Sequence, residues 1–387
     1  MADQRVLLTA LNWGLGHATR CIPIIRELEK QGAQVFLGSD GQSLELLREE
    51  FPKLKAFELP AYAPKYGSKR SFELEMALQI PKFLSAIRQE EKVCAELCRK
   101  HRIDRIISDN RWGCAPDGSR AVFMTHQLFV KLNGVMRIAE SSLLSLQNRM
   151  LKNFETVWVP DWEGRHSLSG ELSHGNKKKK DKFPLPVEFI GPLSRLSATS
   201  SSSSQEKKYD LMVLLSGPEP QRSHFEETLL KQCKQVGKKG SKILFVRGSK
   251  EVQDSLQNKL RKSASQKASK QTVKTKEFKN IELKHRINSA EVASAIQDSK
   301  IVIARSGYSS IMDFCKMQAN CILIPTPGQT EQEYLAQRLS KKGFCITANQ
   351  NDFQLEALMD ELGGLKGFPK LAKDSALTNA VANFLAN

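Results

Sequence analysis

Short apolar runs alternate with stretches of helical periodicity from one end of the 387-residue chain to the other. That rhythm limits the fold more than any other feature, because strand, helix and strand in succession close into parallel βαβ units. In the first half it predicts strands near 5–11, 33–38, 54–59, 103–108, 120–125 and 155–159, with helices near 17–31, 42–50, 72–100 and 135–152. The rhythm breaks after Pro160. A polar stretch runs to Phe183, followed by a short strand at Val187 to Ile190, Gly191-Pro192 and a serine run from Ser200 to Ser204 that reads as a flexible linker. Beyond it the pattern restarts, with strands near 209–215, 242–246, 280–284, 300–304, 321–324 and 343–346. Helices are expected there near 221–236, 289–298, 307–318, 330–341 and 352–362.

The chain is longer than the roughly 250 to 300 residues that one core serves. The expected organisation is therefore an α/β protein of two Rossmann-like, doubly wound parallel-sheet domains over 1–195 and 208–368, joined by the serine-rich 196–207. A last helix, about 371–385 within 369–387, carries Leu377, Val381, Phe384 and Leu385 and must pack on something, the first domain being one choice. Two such domains facing each other would leave a cleft at the carboxyl ends of their strands, where ligands of open α/β sheets bind.

Composition narrows the setting. No apolar run approaches the ~20 residues of a membrane-spanning helix. The apolar residues Val6 to Leu11 suit a first strand better than a secretory signal, and the eight cysteines have no framework or Cys-x-x-Cys spacing. A cytoplasmic protein is expected. Of the net charge of +17, Lys177–Lys182 carries +4 and Lys259–Lys279 carries +7. Such runs are either solvated loops or attract an anionic membrane surface, which would make the protein peripheral on the inner face. With no interleaved aromatics or recognition motif, nucleic acid is not expected as a partner.

Three strand-to-helix loops carry the chemistry. Asn12-Trp13-Gly14-Leu15-Gly16-His17-Ala18-Thr19-Arg20 follows the first strand. Gly14 and Gly16 permit a tight turn, but the third glycine of the dinucleotide fingerprint is missing and no acidic residue clearly closes strand two. His17, at the helix start, either takes a proton from a hydroxyl or merely caps the helix; Arg20 belongs to the site or to a surface ion pair. Asp109 and His126 end later strands of the same half and either hold His17, line an acceptor pocket or only terminate strands. In the second half, Arg305-Ser306-Gly307-Tyr308-Ser309-Ser310 and then Asp313 run from strand into helix, a phosphate cradle without a Walker lysine. Gln329, Gln332 and Glu333 follow the next strand and offer hydrogen bonds to sugar hydroxyls. Ser216, Gly217 and Arg222 form a third side, Arg222 pairing with phosphate or lying on the surface.

At these residues the sequence resembles the GT-B glycosyltransferases of family 28. Gly14-Leu15-Gly16-His17 looks like the family's N-terminal loop, whose histidine is a proposed catalytic base. Arg305-Ser306-Gly307 with Asp313 looks like its Arg-Ser-Gly loop, Asp313 standing where those enzymes place a glutamate on the nucleotide ribose. Gln332 and Glu333 lie where the family has a Gln-Gln pair on the donor sugar, and the loop at His285-Arg286-Ile287 resembles the one that holds the base. The resemblance implies an inverting transfer of a hexose or N-acetylhexosamine from a uridine diphosphate sugar, a co-substrate rather than a cofactor, to a lipid or glycan hydroxyl, without an obligatory metal. Gly16-His17 with Arg20-Cys21 also resembles the Gly-His-x-x-Arg-Cys signature of nucleotide-sugar hydrolases, in which the same histidine would act on water. A non-catalytic sugar-nucleotide-binding scaffold is the alternative of another class.

Overall fold

The structure is a computed structural model that describes residues 4–64, 78–132, 138, 140–175, 183–197, 206–248, 280–370 and 375–386. The lysine segments Lys177–Lys182 and Lys259–Lys279, the serine run, and Phe72 and Met76 of the expected first-half helix lie outside them. The chain divides into two compact units, Met1–Arg195 with Leu371–Asn387, and Leu196–Lys370.

The first unit is built on a sheet of seven parallel strands: β1 (Arg5–Ala10), β2 (Gln34–Ser39), β3 (Lys55–Glu58), β4 (Arg105–Asp109), β5 (Arg120–Met124), β6 (Thr156–Val159) and β7 (Val187–Phe189), in the order β3-β2-β1-β4-β5-β6-β7. Parallel strands covered on both faces need apolar residues throughout rather than alternately, which is why Val6, Leu7 and Leu8 are all buried. Its helices are α1 (Leu15–Lys30), α2 (Gly41–Glu50), α3 (Ile80–His101), α4 (Glu140–Met150) and the short α5 (Glu171–His174). The stripe Ala86, Ile87, Glu90, Cys94 and Cys98 is the buried face of α3.

The strand order reverses direction between β1 and β4. That is the switch point, where the loops leaving two neighbouring strands diverge and open a crevice. The loop into α1 and the residues at the end of β4 therefore meet there.

The polar stretch after Pro160 has more order than its composition suggests. Buried Asp161 accepts hydrogen bonds from Ser167 Oγ at 2.7 Å, Leu168 N at 2.9 Å and Ser169 N at 2.8 Å. One carboxylate thus organises a turn that hydrophobic periodicity cannot signal, and α5 follows it.

The second unit repeats the plan with six parallel strands: β8 (Tyr209–Leu214), β9 (Ile243–Val246), β10 (Ile281–Lys284), β11 (Ser299–Ala304), β12 (Cys321–Leu323) and β13 (Ile346–Thr347), in the order β10-β9-β8-β11-β12-β13. Around them pack α6 (Gln221–Lys238), α7 (Ser289–Gln297), α8 (Tyr308–Met317), α9 (Thr330–Lys341) and α10 (Leu355–Asp360). The helix expected near 352–362 is shorter, α10 giving way to a 3-10 turn at Glu361–Gly364. Here the switch point lies between β8 and β11, so the loops of Ser216 and Arg305 are the ones it brings together.

The last helix, α11 (Ala376–Ala386), belongs to the first unit. Phe384 meets Trp158 of β6 edge-on, ring centroids 5.7 Å apart, and Arg105 Nε donates to Phe384 O at 3.2 Å.

Candidate functional site

In the first unit the site is assembled from α1, the end of β4 and the end of β5. Gly14, the residue before α1, has φ +105° and ψ 160°, a backbone conformation that costs a side-chain-bearing residue dearly. The turn it allows puts His17 in the first turn of α1, where His17 Nδ1 lies 3.0 Å from Asp109 Oδ1. Asp109 is wholly buried, while 18% of the His17 side chain is exposed. Arg20, one turn further and 2% exposed, donates from Nε to Asp109 Oδ2 at 2.7 Å and from Nη2 to Asp109 Oδ1. Its Nη1 stands 2.9 Å from His126 Nδ1. Four residues named from sequence, His17, Arg20, Asp109 and His126, thus form one cluster. The Gly16 carbonyl accepts from Thr19 Oγ1 at 2.9 Å.

The electrostatics suit a neutral imidazole. Burial opposes ionisation of Asp109, but the charges of Arg20 and His17 outweigh it and hold the carboxyl well below the usual carboxylate range. For His17, burial lowers the pKa, Asp109 pulls the other way, and Arg20 and His126 add to the lowering; the net position is below the ordinary 6.5. At neutral pH the ring is uncharged and can accept a proton.

Beneath this cluster lies a second charged network that sequence reasoning missed. Arg111, fully buried, bridges Glu90 of α3 and Asp40, with Nη1 2.6 Å from Asp40 Oδ1. Tyr62 donates its hydroxyl to Glu90 Oε2 at 2.6 Å, and Gly113 N donates to the same oxygen at 2.8 Å. Asp40 Oδ2 accepts from Asn12 Nδ2 at 3.0 Å, tying the network to the loop that carries His17. Asp40 directly follows β2, which corrects the reading that no acidic residue closes strand two; it holds Arg111 and Asn12. The available signal was Glu90, a carboxylate on the apolar stripe of α3.

Trp13 packs on Phe83 of α3 with centroids 5.6 Å apart, beside a small apolar cluster of Leu11, Tyr62, Ala86 and Ile87. Leu78, just before α3, is 59% exposed.

In the second unit, β11 feeds Arg305 and Ser306 into α8, whose capping position is Gly307 with no side-chain cap. The first hydrogen bond of that turn runs from Ile311 N to Gly307 O at 3.1 Å. The N–H groups of Tyr308, Ser309 and Ser310 lie ahead of it, the donors with which a helix start meets an anion. Ser309 and Ser310 are half-buried in this first turn, and Asp313 lies partly exposed further along α8. Thr326, after β12, is 2% exposed, and its hydroxyl has no hydrogen-bond partner among the described residues.

Several side chains expected to meet a donor are engaged within the protein. Arg305 is 1% exposed and donates from Nη1 to Pro325 O at 3.0 Å and from Nη2 to Gln221 O at 3.2 Å and to Gln350 Oε1. Its guanidinium also lies 3.9 Å above the Phe225 ring. The group thus ties the segment after β12 to the start of α6 and to Gln350. Burial without a carboxylate partner lowers its pKa to about 9.

Arg222 likewise bonds Glu219 and Glu226 and donates to Arg247 O at 3.2 Å, so it is neither a surface arginine nor an uncommitted phosphate ligand. Ser306 Oγ donates to Gln332 O at 2.8 Å, joining the starts of α8 and α9. Gln332 Oε1 accepts from Thr326 N and Glu333 Oε1 from Gly328 N, both at 2.9 Å, and Gln332 Nε2 donates to Gln329. These three side chains therefore shape the 326–329 loop. Ser216 and Gly217 are exposed after β8, and Arg286 and Ile287 lie partly buried between β10 and α7.

Residues 250–384 match the glycosyltransferase family 28 C-terminal domain. Among solved structures, the glycosyltransferase of kitacinnamycin aligns at 13% identity and TM-score 0.63 over 100% of this chain and 95% of that one. MurG of Acinetobacter baumannii aligns at 11% identity and TM-score 0.56 over 100% of both chains. The spinosyn rhamnosyltransferase SpnG, complexed with thymidine diphosphate, aligns at 10% identity and TM-score 0.58 over 99% of this chain and 95% of that one. Comparison with curated proteins gives no match.

Proposed function

We propose that the chain, which has the GT-B fold and whose residues 250–384 match the glycosyltransferase family 28 C-terminal domain, transfers a hexose or N-acetylhexosamine from a uridine diphosphate sugar to an acceptor hydroxyl, with inversion. The observation that carries this reading is the neutral His17 held at 3.0 Å by a fully buried Asp109 at the switch point of the first sheet. His17 Nε2 takes the proton of the acceptor hydroxyl as its oxygen bonds the anomeric carbon, and the bond from that carbon to the diphosphate breaks. Asp109 stabilises the imidazolium that forms.

The diphosphate leaves with the bonding pair. Its charge is met by the α8 N-terminus, half a positive charge in effect, and by the buried guanidinium of Arg305. Preorganised donors of this kind supply the stabilisation that a cation would otherwise give, so we expect turnover to survive a chelator. A nucleoside diphosphate as leaving group is supported by the neighbour complexed with thymidine diphosphate; uridine follows from the resemblance of the motifs. Gln329, Gln332 and Glu333 act on the donor sugar through the loop they hold.

The acceptor is a lipid or glycan hydroxyl. No described helix is long and apolar enough to cross a membrane. Attachment to an anionic surface rests on the lysine segments alone, and co-sedimentation with phosphatidylglycerol vesicles, lost when those lysines are replaced by glutamine, checks it.

A thermal-shift screen against nucleoside diphosphates and their sugars tests the donor site. Ligand at 100 times its dissociation constant adds about 2.7 kcal/mol to stability. Uridine diphosphate should raise the melting temperature, and Ser310→Asp, which places a carboxylate in the first turn of α8, should abolish the rise. Absence of a shift with every nucleotide would contradict the proposal.

A further inference from the structure

Arg20 touches two imidazoles as well as a carboxylate, and the chemistry of a guanidinium decides what each must be. A guanidinium offers donors and no acceptor. Its Nη1 lies 2.9 Å from His126 Nδ1, so that nitrogen presents a lone pair, and the proton of the neutral ring sits on Nε2. The corresponding nitrogen of His17 faces the opposite kind of partner. Asp109 Oδ1, 3.0 Å away, belongs to a carboxylate that only accepts, so the His17 proton sits on Nδ1 and its lone pair on Nε2.

One contact competes with this assignment. Arg20 Nη2 also lies 3.0 Å from His17 Nδ1. Arg20 Nη2 gives one of its two protons to Asp109 Oδ1, but a lone pair on His17 Nδ1 would face a full carboxylate charge in a pocket where Asp109 is wholly buried and Arg20 2% exposed. A charge-assisted N–H···O⁻ bond is the stronger arrangement. Asp109 only accepts: its Oδ1 is shared by Arg20 Nη2, His17 Nδ1 and Asn110 Nδ2 at 3.2 Å, and its Oδ2 by Arg20 Nε and Cys21 Sγ at 3.6 Å.

We propose that Arg20 is a positioning residue that sets opposite tautomers on two neighbouring histidines and so leaves His17 as the single base of the pair. The lone pair of His126 is taken up by the guanidinium, and its other nitrogen already holds a proton. His126 therefore has no nitrogen with which to deprotonate an acceptor. His17, its Nδ1 proton held by Asp109, keeps Nε2 for that step. The role of base rests on the transferase reading; the tautomers do not.

Long-range proton–nitrogen correlation spectra of the full chain, with nitrogen-15 in the imidazoles and assignment by His17→Gln and His126→Gln, read both tautomers directly. Near pH 7.5 the expected result is His17 protonated on Nδ1 and His126 on Nε2. In Arg20→Lys, one ammonium keeps its charge beside Asp109 but no longer spans to His126. His17 should then keep its tautomer, while the His126 nitrogens shift toward the average of two forms. A His126 proton on Nδ1, a His17 proton on Nε2, or a folded Arg20→Lys protein whose His126 signals match the parent's would overturn the inference. The assigned tautomers in a protein that turns over no nucleotide sugar would count against the transferase reading alone.

Discussion

At the scale of single residues the account turns on how a buried carboxylate tunes an imidazole. Asp109 is held ionised and the His17 pKa lies below its ordinary 6.5. The base form of His17 therefore persists below that value, and the acid limb of a kcat/KM profile should have its midpoint below pH 6.5. Linkage gives the matching sign for stability. A histidine whose pKa is depressed on folding binds fewer protons folded than unfolded, so its contribution is complete above about pH 6.5 and is lost as pH falls below. Asp109, also depressed, adds a loss that begins near the ordinary carboxylate range and continues as pH falls toward its folded value. Asp109→Asn replaces an acceptor-only carboxylate with a neutral amide that can turn a donor toward His17 Nδ1, and should lower kcat by about 10²- to 10⁴-fold, with a smaller change in KM. An unchanged kcat would show that Asp109 does not hold the base. Of these residues, His17 was legible from its place after a glycine turn, and Asp109 and His126 from ending strands of one sheet. Their joining through Arg20 was not legible, because residues 89 and 106 positions apart in sequence meet only once strand order is known. Arg305 shows the reverse limit: the motif marked the position, but only packing reveals that its guanidinium braces carbonyls.

Among the elements, α1 and α3 depend on groups that a hydrophobic pattern cannot display. The loop into α1 is held from below by Asn12, Asp40 and Arg111, and Arg111 is held by Glu90 on the buried stripe of α3. Gly113 closes the same joint, since a Cβ there would come within 2.5 Å of Ile87 O. Removing one partner of a buried ion pair leaves an uncompensated charge and costs about 3–5 kcal/mol. Glu90→Ala should therefore lower the denaturant midpoint by that equivalent, with a loss of turnover that follows the loosening of the His17 loop. A loss under 1 kcal/mol would show that the network is not what fixes the loop. Strand and helix positions were largely legible because fully buried parallel strands are apolar without interruption and amphipathic helices repeat on their own period. The turn stapled by Asp161 was not, since one carboxylate satisfying several backbone donors leaves no periodic trace.

For the whole molecule, the two units each repeat one topology, and the chain returns to its first unit at the end. α11 packs Phe384 on Trp158 and supplies backbone carbonyls to Arg105 and Gln4. Ending the chain after Lys370 should raise hydrogen exchange in β6 and α1 while β8 and β11 keep their protection; equal loosening of both units would contradict this assignment of the helix. The proposed function asks the second unit to bind a nucleoside diphosphate sugar and the first to supply the base. The measurement that bears on it most directly is calorimetric binding of uridine diphosphate set beside sugar-transfer or sugar-release rates, in the parent and in His17→Ala. The account predicts unchanged affinity with turnover reduced by about 10²- to 10⁴-fold. Loss of binding together with turnover, or turnover that survives the substitution, would contradict it.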